Sequence, residues 1–143
     1  MVTKDVYKKI EYYLYNYKNI DDLISETELN IIDNANSSGT TWLKGINYFN
    51  NTIENQAIKL ATNKKIYNLK RWKSFLTEAI KIFEKSYRLE YEFMTLKYFN
   101  KNTYLEINKI LKIDLDAQKK LNINVIGLIA YLADKANLIY LER

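Results

Sequence analysis

The chain has 143 residues and a formal net charge of +5, and it contains no cysteine, histidine or proline. It therefore lacks disulfides, thiol nucleophiles, the commonest neutral metal ligand and the usual general base, so we expect no enzyme, no metal site and no cofactor. The modest excess of positive charge is compatible with a polyanionic partner. With only three glycines, the chain has few turn-forming residues, which predicts long helices.

No apolar run approaches the roughly 18 residues that are needed to cross a membrane. The N-terminal stretch MVTKDVYKKIEYYLYNY carries charges and tyrosines throughout. We therefore expect a cytoplasmic protein without membrane contact. The length of the chain fits one domain, or a small domain with an appendage.

The first predicted helix begins after Thr3 and extends for about 30 residues. Its apolar stripe has alternating spacings of four and three residues, the heptad pattern of helices that pair. The stripe consists of Val6, Ile10, Tyr13, Tyr17, Ile20, Ile24 and Ile31, with Thr27 in the remaining heptad position. So long a helix needs a partner to cover this stripe, either within the chain or in a second copy.

The heptad pattern stops at residues 34–51, where two glycines and a cluster of Asn, Ser and Thr predict a linker. A second helix is predicted over residues 52–83, with a break at residues 62–65 as an alternative, and a third over residues 86–99. The second helix carries its own heptad stripe, formed by Leu69, Trp72, Leu76, Ala79 and Phe83. Residues 1–97 are therefore predicted to form a coiled-coil-like helical hairpin that serves assembly.

In residues 98–143 a short capped helix precedes a long one. Thr103 and Glu106 have the spacing of a capping box, so the short helix can start at Tyr104 and end before Asp114, which can cap the next helix. The short helix is expected to turn four side chains towards a core: Tyr104, Ile107, Ile110 and Leu111. The last helix is predicted over residues 115–141.

The last helix carries so broad an apolar surface that we expect it to be nearly buried all round. One stripe is formed by Leu121, Val125, Leu128, Leu132 and Ile139, and beside it lie Ile123, Ile126, Ala130 and Ala133. Gly127 lies inside this helix at a cost of about 1 kcal/mol relative to alanine. It therefore predicts either the close approach of a neighbouring helix or a break.

A short helix, a turn of about three residues and a second helix match the geometry of a helix-turn-helix, whose second helix enters the DNA major groove. For residues 103–126 this hypothesis assigns base edges to Gln118 and Asn122, and phosphates to Lys119 and Lys120. Thr103, at the start of the first helix, and Lys112, in the turn, complete the predicted DNA-binding set. The alternative is an ordinary helical hairpin with a solvated face.

Between Glu54 and Glu78 the chain carries several basic residues and no acidic one. Five of these residues are predicted to give supporting, salt-sensitive phosphate contacts: Lys64, Lys65, Lys70, Arg71 and Lys73. The alternative is a solvated helix face. The thirteen tyrosines lie mostly on the apolar stripes, so we expect them to pack in a core or an interface rather than to stack on bases.

The order of several segments resembles that in phage transcriptional regulators of the RinA and ArpU type. The segments are IEYYLYNYKNIDDLISE, TIENQAIKLATNKK, LKRWKSFLTEAI and TYLEINKILKID, and the likeness covers nearly the whole chain. It implies sequence-specific binding of double-stranded DNA through a C-terminal domain like the promoter-reading helix-turn-helix of bacterial sigma factors. It also implies control of late or packaging genes, and N-terminal helices that serve assembly or contact RNA polymerase.

The chain differs from the family pattern at three positions of the motif. Lys112 occupies the turn position where the family usually has Gly, and Asp114 starts the second helix where the family usually has Ser or Thr. Gln118 lies where many such helices have an apolar residue. We predict a non-enzymatic, all-α regulator that binds duplex DNA, and a homodimer if its first helix pairs between chains. The alternative is a helical scaffold protein whose heptad stripes bind a partner helix.

Overall fold

A computed structural model describes residues 2–36 and 44–141, with side chains for residues 2–29 and 56–141. This part of the chain contains helices and no strand, so the predicted all-α fold class is confirmed. The helices are α1 Lys4–Asn16, α2 Ile20–Asn36, α3 Lys44–Ser86, α4 Arg88–Met94, α5 Tyr104–Leu111 and α6 Leu115–Lys135. Within the described ranges, no helix combines the length and the apolar character required to cross a bilayer.

The chain divides into two compact units, one formed by Met1–Lys18 and Trp72–Arg143 and the other by Asn19–Arg71. Among the described side chains of the second unit, the buried ones are Ile20, Ile24, Thr27 and Leu69. The predicted boundary between residues 97 and 98 falls inside the first unit. That unit carries the predicted helix-turn-helix segment.

The predicted first helix is interrupted once. Thr3 caps α1 as expected, because its hydroxyl accepts a hydrogen bond from the backbone N–H of Val6 at 3.2 Å. A 3₁₀ turn, Tyr17–Asn19, then separates α1 from α2, so a continuous helix of about 30 residues was the wrong expectation. The predicted stripe is nevertheless buried on both sides of the turn, at Ile10 and Tyr13 before it and at Ile20, Ile24 and Thr27 after it.

Helix α3 is longer than predicted, because it begins at Lys44 and passes through residues 62–65 without a break. Of the predicted linker, residues 34–36 belong to α2 and residues 44–51 to α3, whereas residues 37–43 lie outside the described part of the chain. The predicted α3 stripe is confirmed: Leu69, Trp72, Leu76, Ala79 and Phe83 are all at most 2% exposed. The asparagines and glycine of this segment are therefore tolerated inside a helix.

The core of the first unit forms where α6 packs against α1, α4 and α5. Tyr13 of α1 stacks on Trp72 of α3, with ring centroids 4.4 Å apart and planes 6° from parallel. The hydroxyls of Tyr17, in the 3₁₀ turn, and Thr77 of α3 lie 2.8 Å apart. Tyr13 and Tyr17 of the predicted stripe thus pack against α3, as their spacing indicates.

Helix α4 continues into a π-helical segment, Thr95–Phe99, in which the backbone N–H of Asn100 donates to the carbonyl of Thr95 at 2.9 Å. Such wide turns occur mostly as single turns and often at functional sites. Tyr98 in this segment is fully buried. The π segment therefore delivers a phenol to the interior of the first unit.

Helix α6 runs through Gly127 without a break, and a methyl group added there would meet no atom within 4 Å. Both predicted consequences of Gly127 are therefore wrong. The helix ends at Lys135, six residues before the predicted end, because Asn137 takes a left-handed conformation with φ of 60°. The backbone N–H groups of Asn137 and Leu138 donate to Asp134 and Ala133 at 3.1 and 2.9 Å, which closes the helix.

Candidate functional site

Helix α5 is fixed at its start by the predicted capping box. The backbone N–H of Glu106 donates to the Thr103 hydroxyl at 3.3 Å, and the backbone N–H of Thr103 donates to the Glu106 carboxylate at 3.1 Å. The hydrogen bond from the Thr103 backbone, with that from its hydroxyl, holds the pKa of Glu106 below its ordinary value. The helix begins at Tyr104 and ends at Leu111, as the sequence predicts.

The turn after α5 has the length that the helix-turn-helix hypothesis requires. Residues 112–114 connect the two helices, and Lys112 adopts a left-handed conformation with φ of 58°. Gly adopts this conformation more readily than residues that carry a side chain. Asp114 then caps α6, because its carboxylate accepts from the backbone N–H of Ala117 at 2.8 Å.

The apolar side chains of α5 are more exposed than predicted. Ile107 is buried, but Ile110 is 57% exposed and Tyr104 39% exposed, so these two do not face a core as expected. Leu111 is half-buried. A helix of eight residues has one narrow buried stripe, and here that stripe contains mainly Ile107.

Gln118 does not project from α6. Its side chain is only 6% exposed, and its Nε2 group donates to the backbone carbonyls of Tyr104 at 3.1 Å and Ile113 at 3.3 Å. These bonds join α6 to the start of α5 and to the turn. The assignment of Gln118 to a base edge is therefore wrong, because its donor group holds the two helices together.

Asn122 is likewise buried, at 5% exposure, and it belongs to a polar network between α1, the π segment and α6. Its Nδ2 group donates to the Tyr7 hydroxyl, and the Tyr98 hydroxyl donates to its Oδ1 atom at 2.5 Å. The Tyr98 hydroxyl also lies 2.8 Å from Oε2 of Glu11. The assignment of Asn122 to a base edge is therefore also wrong, because both ends of its amide bind tyrosines of its own chain.

Proton counting constrains this network. A phenol has one proton, so Tyr98 must share it between the oxygens of Glu11 and Asn122. With the Asn122 amide turned by 180°, Asn122 would donate to Tyr98, Tyr98 to Glu11, and Tyr7 to Asn122, so each of these three hydrogen bonds would have its own proton. Burial raises the pKa of Tyr98 well above its ordinary value, and the Glu11 carboxylate raises it further. In either orientation the phenol therefore stays protonated.

The helical spacing explains why these amides are buried. The buried residues of α6 recur at intervals of three and four: Gln118, Leu121, Asn122, Val125, Ile126, Ile129, Ala130 and Ala133. The two amides continue the apolar stripe towards the start of the helix. The burial of the two amides was not predicted, because the predicted stripe was placed on a neighbouring face. It included Leu128 and Leu132, which are only half-buried, and omitted Ile129.

Lys119 and Lys120 are exposed on α6, as predicted. The ion pairs found among the described residues do not involve either of them. Asn124 and Ile123 lie on the same outer face, and Ile123 is 61% exposed. Asn124 is thus the exposed amide of this helix, which the sequence reasoning overlooked in favour of Asn122. Thr103 and Lys112 are exposed at the start and at the end of α5.

The basic stretch of α3 is partly exposed. Lys64, Lys65 and Lys70 are exposed, whereas Arg71 and Lys73 are half-buried. The Arg71 guanidinium lies 5.5 Å from the ring centroid of Tyr67. Lys73 belongs to the first unit and the other four residues to the second. Their role as supporting phosphate contacts remains a prediction.

A cavity of about 580 Å³ opens between α1, the π segment, α5 and the start of α6. Its lining includes Tyr7, Glu11, Tyr15, Lys97, Gln118 and Lys119. Burial and the Glu11 carboxylate both raise the pKa values of Tyr7 and Tyr15. Within the described residues, no three acidic side chains are grouped so that they could hold a metal ion.

Comparison of the chain with known protein families, with curated proteins and with solved structures finds no match. The resemblance to the RinA and ArpU regulators thus remains a prediction that rests on the quoted segments.

Proposed function

We propose that the chain is a DNA-binding transcriptional regulator of the phage or prophage type, and that its α5–α6 unit contacts the duplex. The observation that carries this proposal is the exposed face of α6. Lys119, Lys120 and Asn124 project there directly after a capped eight-residue helix and a three-residue turn. A helix presented in this way fits the major groove, which is about 12 Å wide.

In this proposal Lys119 and Lys120 neutralise phosphates. Each phosphate contact contributes about −0.9 to the slope of log affinity against log salt concentration. Lys112 in the turn adds a third ammonium group on the same short segment. The exposed acids Asp114 and Asp116 lie at the N-cap and in the first turn of α6, where they stabilise the positive end of the helix dipole. They therefore do not argue against binding.

Base reading then belongs to Asn124 rather than to Gln118 and Asn122. An asparagine amide can bond an adenine edge through both of its polar atoms, and one such contact discriminates by about 1–3 kcal/mol. Ile123 beside it can contact a thymine methyl group. The buried amides support this face indirectly, because Gln118 fixes α6 against α5.

The test is the affinity of the full chain for AT-rich and mixed-sequence duplexes, measured by fluorescence anisotropy over a range of salt concentrations. Replacing Lys119 and Lys120 by alanine should weaken binding to both duplexes and flatten the salt slope by about 2. The matched control replaces Lys8 and Lys9 by alanine, because these exposed neighbours on α1 carry the same two charges. An equal loss of duplex affinity in both double variants would show that binding depends only on the net charge of the chain. That result would contradict the assignment of phosphate contacts to α6.

Three parts of the same proposal rest on the resemblance alone. These parts are assembly through the N-terminal helices, contact with RNA polymerase, and control of late or packaging genes. Pairing into a homodimer would let a two-fold symmetric operator be read by two α6 helices. The molar mass from light scattering with and without operator DNA would test this pairing.

The second candidate function is a helical interaction protein. It is favoured by the exposed apolar side chains of the α5–α6 unit, where Leu105, Ile110 and Ile123 are each more than half exposed. The heptad stripes proposed for such a role are already buried at Ile10, Trp72 and Leu76. A partner helix would therefore have to use this other surface. Duplex affinity that is absent at low salt would favour this second function.

A further inference from the structure

The cavity beside α6 presents a charged side chain on each of three walls, and the DNA-binding proposal leaves most of it unused. Glu11 comes from α1, Lys97 from the π segment and Lys119 from α6. Within the described residues these three groups form no ion pair with one another. Charges of both signs thus line one cavity without a direct ion pair between them.

The α1 wall fits a ligand cation. Tyr7, Glu11 and Tyr15 are spaced by four residues and therefore share one face of the helix. Oε2 of Glu11 takes the bond from Tyr98, and no described donor reaches Oε1. A carboxylate oxygen without a described donor, on a helix face that also carries two tyrosines, can attract an ammonium group, because the carboxylate supplies charge and the rings supply cation–π attraction.

Two lysines of the lining fit a ligand anion. The Lys97 ammonium lies 6.0 Å from the ring centroid of Phe93 and 5.5 Å from that of Tyr98, so two rings position it. Lys119, near the start of α6, adds a second ammonium group to the lining of the cavity. Two unpaired ammonium groups can bind a carboxylate, and each such hydrogen bond is charge-assisted.

Gln118 adds a hydrogen-bond acceptor to the lining of the cavity. It uses Nε2 for the backbone of α5 and of the turn, and its Oε1 atom, which no described donor reaches, is not among the fully buried polar atoms. A ligand N–H group that reached this oxygen could donate a hydrogen bond to it. Ile107 and Leu115 line the cavity beside it and supply apolar surface. The size of the cavity, about 580 Å³, is that of a small-molecule site.

We propose that this cavity binds a zwitterionic amino acid or dipeptide with an aromatic side chain. The ammonium group of the ligand lies against Glu11 and its carboxylate against Lys97 and Lys119. The aromatic ring of the ligand packs against the lining tyrosines and the apolar residues Ile107 and Leu115. This proposal does not rest on the proposed DNA binding, because Glu11 and Lys97 lie outside the face assigned to the duplex. The two proposals share Lys119, which borders the cavity, so ligand binding is measured without DNA.

Calorimetric titration of the full chain with three probes tests the proposal. L-Phenylalanine carries both charges, phenethylamine lacks the carboxylate and 3-phenylpropionate lacks the ammonium group. We expect saturable binding of one phenylalanine per chain, with each single-charge probe at least tenfold weaker. Absence of saturable heat with millimolar phenylalanine, or equal binding of all three probes, would overturn the proposal.

Two variants test which side chains bind the ammonium group and the carboxylate of the ligand. Glu11→Gln keeps an acceptor for Tyr98 but removes the negative charge, so it should weaken phenylalanine binding at least tenfold and leave 3-phenylpropionate binding unchanged. Lys97→Met keeps the length of the side chain and should weaken phenylalanine while sparing phenethylamine. The control is Asp5→Asn, which removes one exposed charge from the same helix α1. Equal effects of Glu11→Gln and Asp5→Asn would overturn the assignment of the ammonium site.

Discussion

Asn122 and Asn124 allow a matched test of the buried network, because they are two residues apart on one helix and only Asn122 is buried. Replacing Asn122 by alanine removes its bonds to the Tyr7 and Tyr98 hydroxyls. Each buried hydrogen bond contributes about 0.5–1.5 kcal/mol. Tyr98 keeps Glu11 as its acceptor, and Tyr7 borders the open cavity. Neither hydroxyl is therefore left buried without a hydrogen-bond partner, and the full desolvation cost of an unpaired polar group does not apply. We expect the free energy of unfolding to fall by about 2 kcal/mol.

The variant Asn124→Ala supplies the control. Both substitutions replace asparagine by alanine inside α6 and gain the same helix propensity, up to about 0.7 kcal/mol. The difference between the two variants therefore isolates the effect of burial. Urea denaturation followed by circular dichroism measures it, with equal m-values as the check on two-state unfolding. Equal stabilities of Asn122→Ala and Asn124→Ala would refute the structural role of the network.

Three further predictions concern stability. Gly127→Ala should raise the free energy of unfolding by about 0.5–1 kcal/mol, because the helix passes through an open position there; a loss in urea denaturation would reveal a contact at that position. Thr103→Ala should cost about 1 kcal/mol through loss of the capping box, and an unchanged urea midpoint would contradict the role of that cap. Burial raises the folded-state pKa of Tyr98 above its ordinary value of 10.0, so its contribution to stability is full below pH 10.0 and is lost above it, where the unfolded phenol ionises first. In thermal melts at rising pH, the melting temperature of Tyr98→Phe should therefore fall less at alkaline pH than that of the parent chain. Equal falls would show that Tyr98 does not cause the alkaline destabilisation.

The elements that the sequence predicted well depend on local rules. The capping box at Thr103 and Glu106 and the cap at Asp114 were predicted because each needs only residues three apart. The stripes through Ile10 and Trp72 were predicted because helical spacing alone selects the buried face. The all-α fold class follows from the same patterns together with the scarcity of turn-forming residues.

The errors arose where a local pattern has two structural solutions. A heptad stripe does not distinguish a continuous helix from two helices in register, so the 3₁₀ turn at Tyr17–Asn19 went unnoticed. A stretch rich in asparagine favours a linker, yet residues 44–51 lie in α3. An amide on a helix can face solvent or a core network, and the partners of Asn122 lie 115 and 24 residues away, at Tyr7 and Tyr98. Only the assembled fold brings them together.

The central claim is that the outer face of α6 contacts duplex DNA, and lysine footprinting tests it most directly. The full chain is acetylated with and without an AT-rich duplex at low salt, and the modification of each lysine is quantified by mass spectrometry. If α6 lies in the groove, Lys119 and Lys120 should be protected by the duplex while Lys8 and Lys9 on α1 stay reactive. Protection of Lys8 and Lys9 with unchanged reactivity at Lys119 and Lys120 would contradict the proposal.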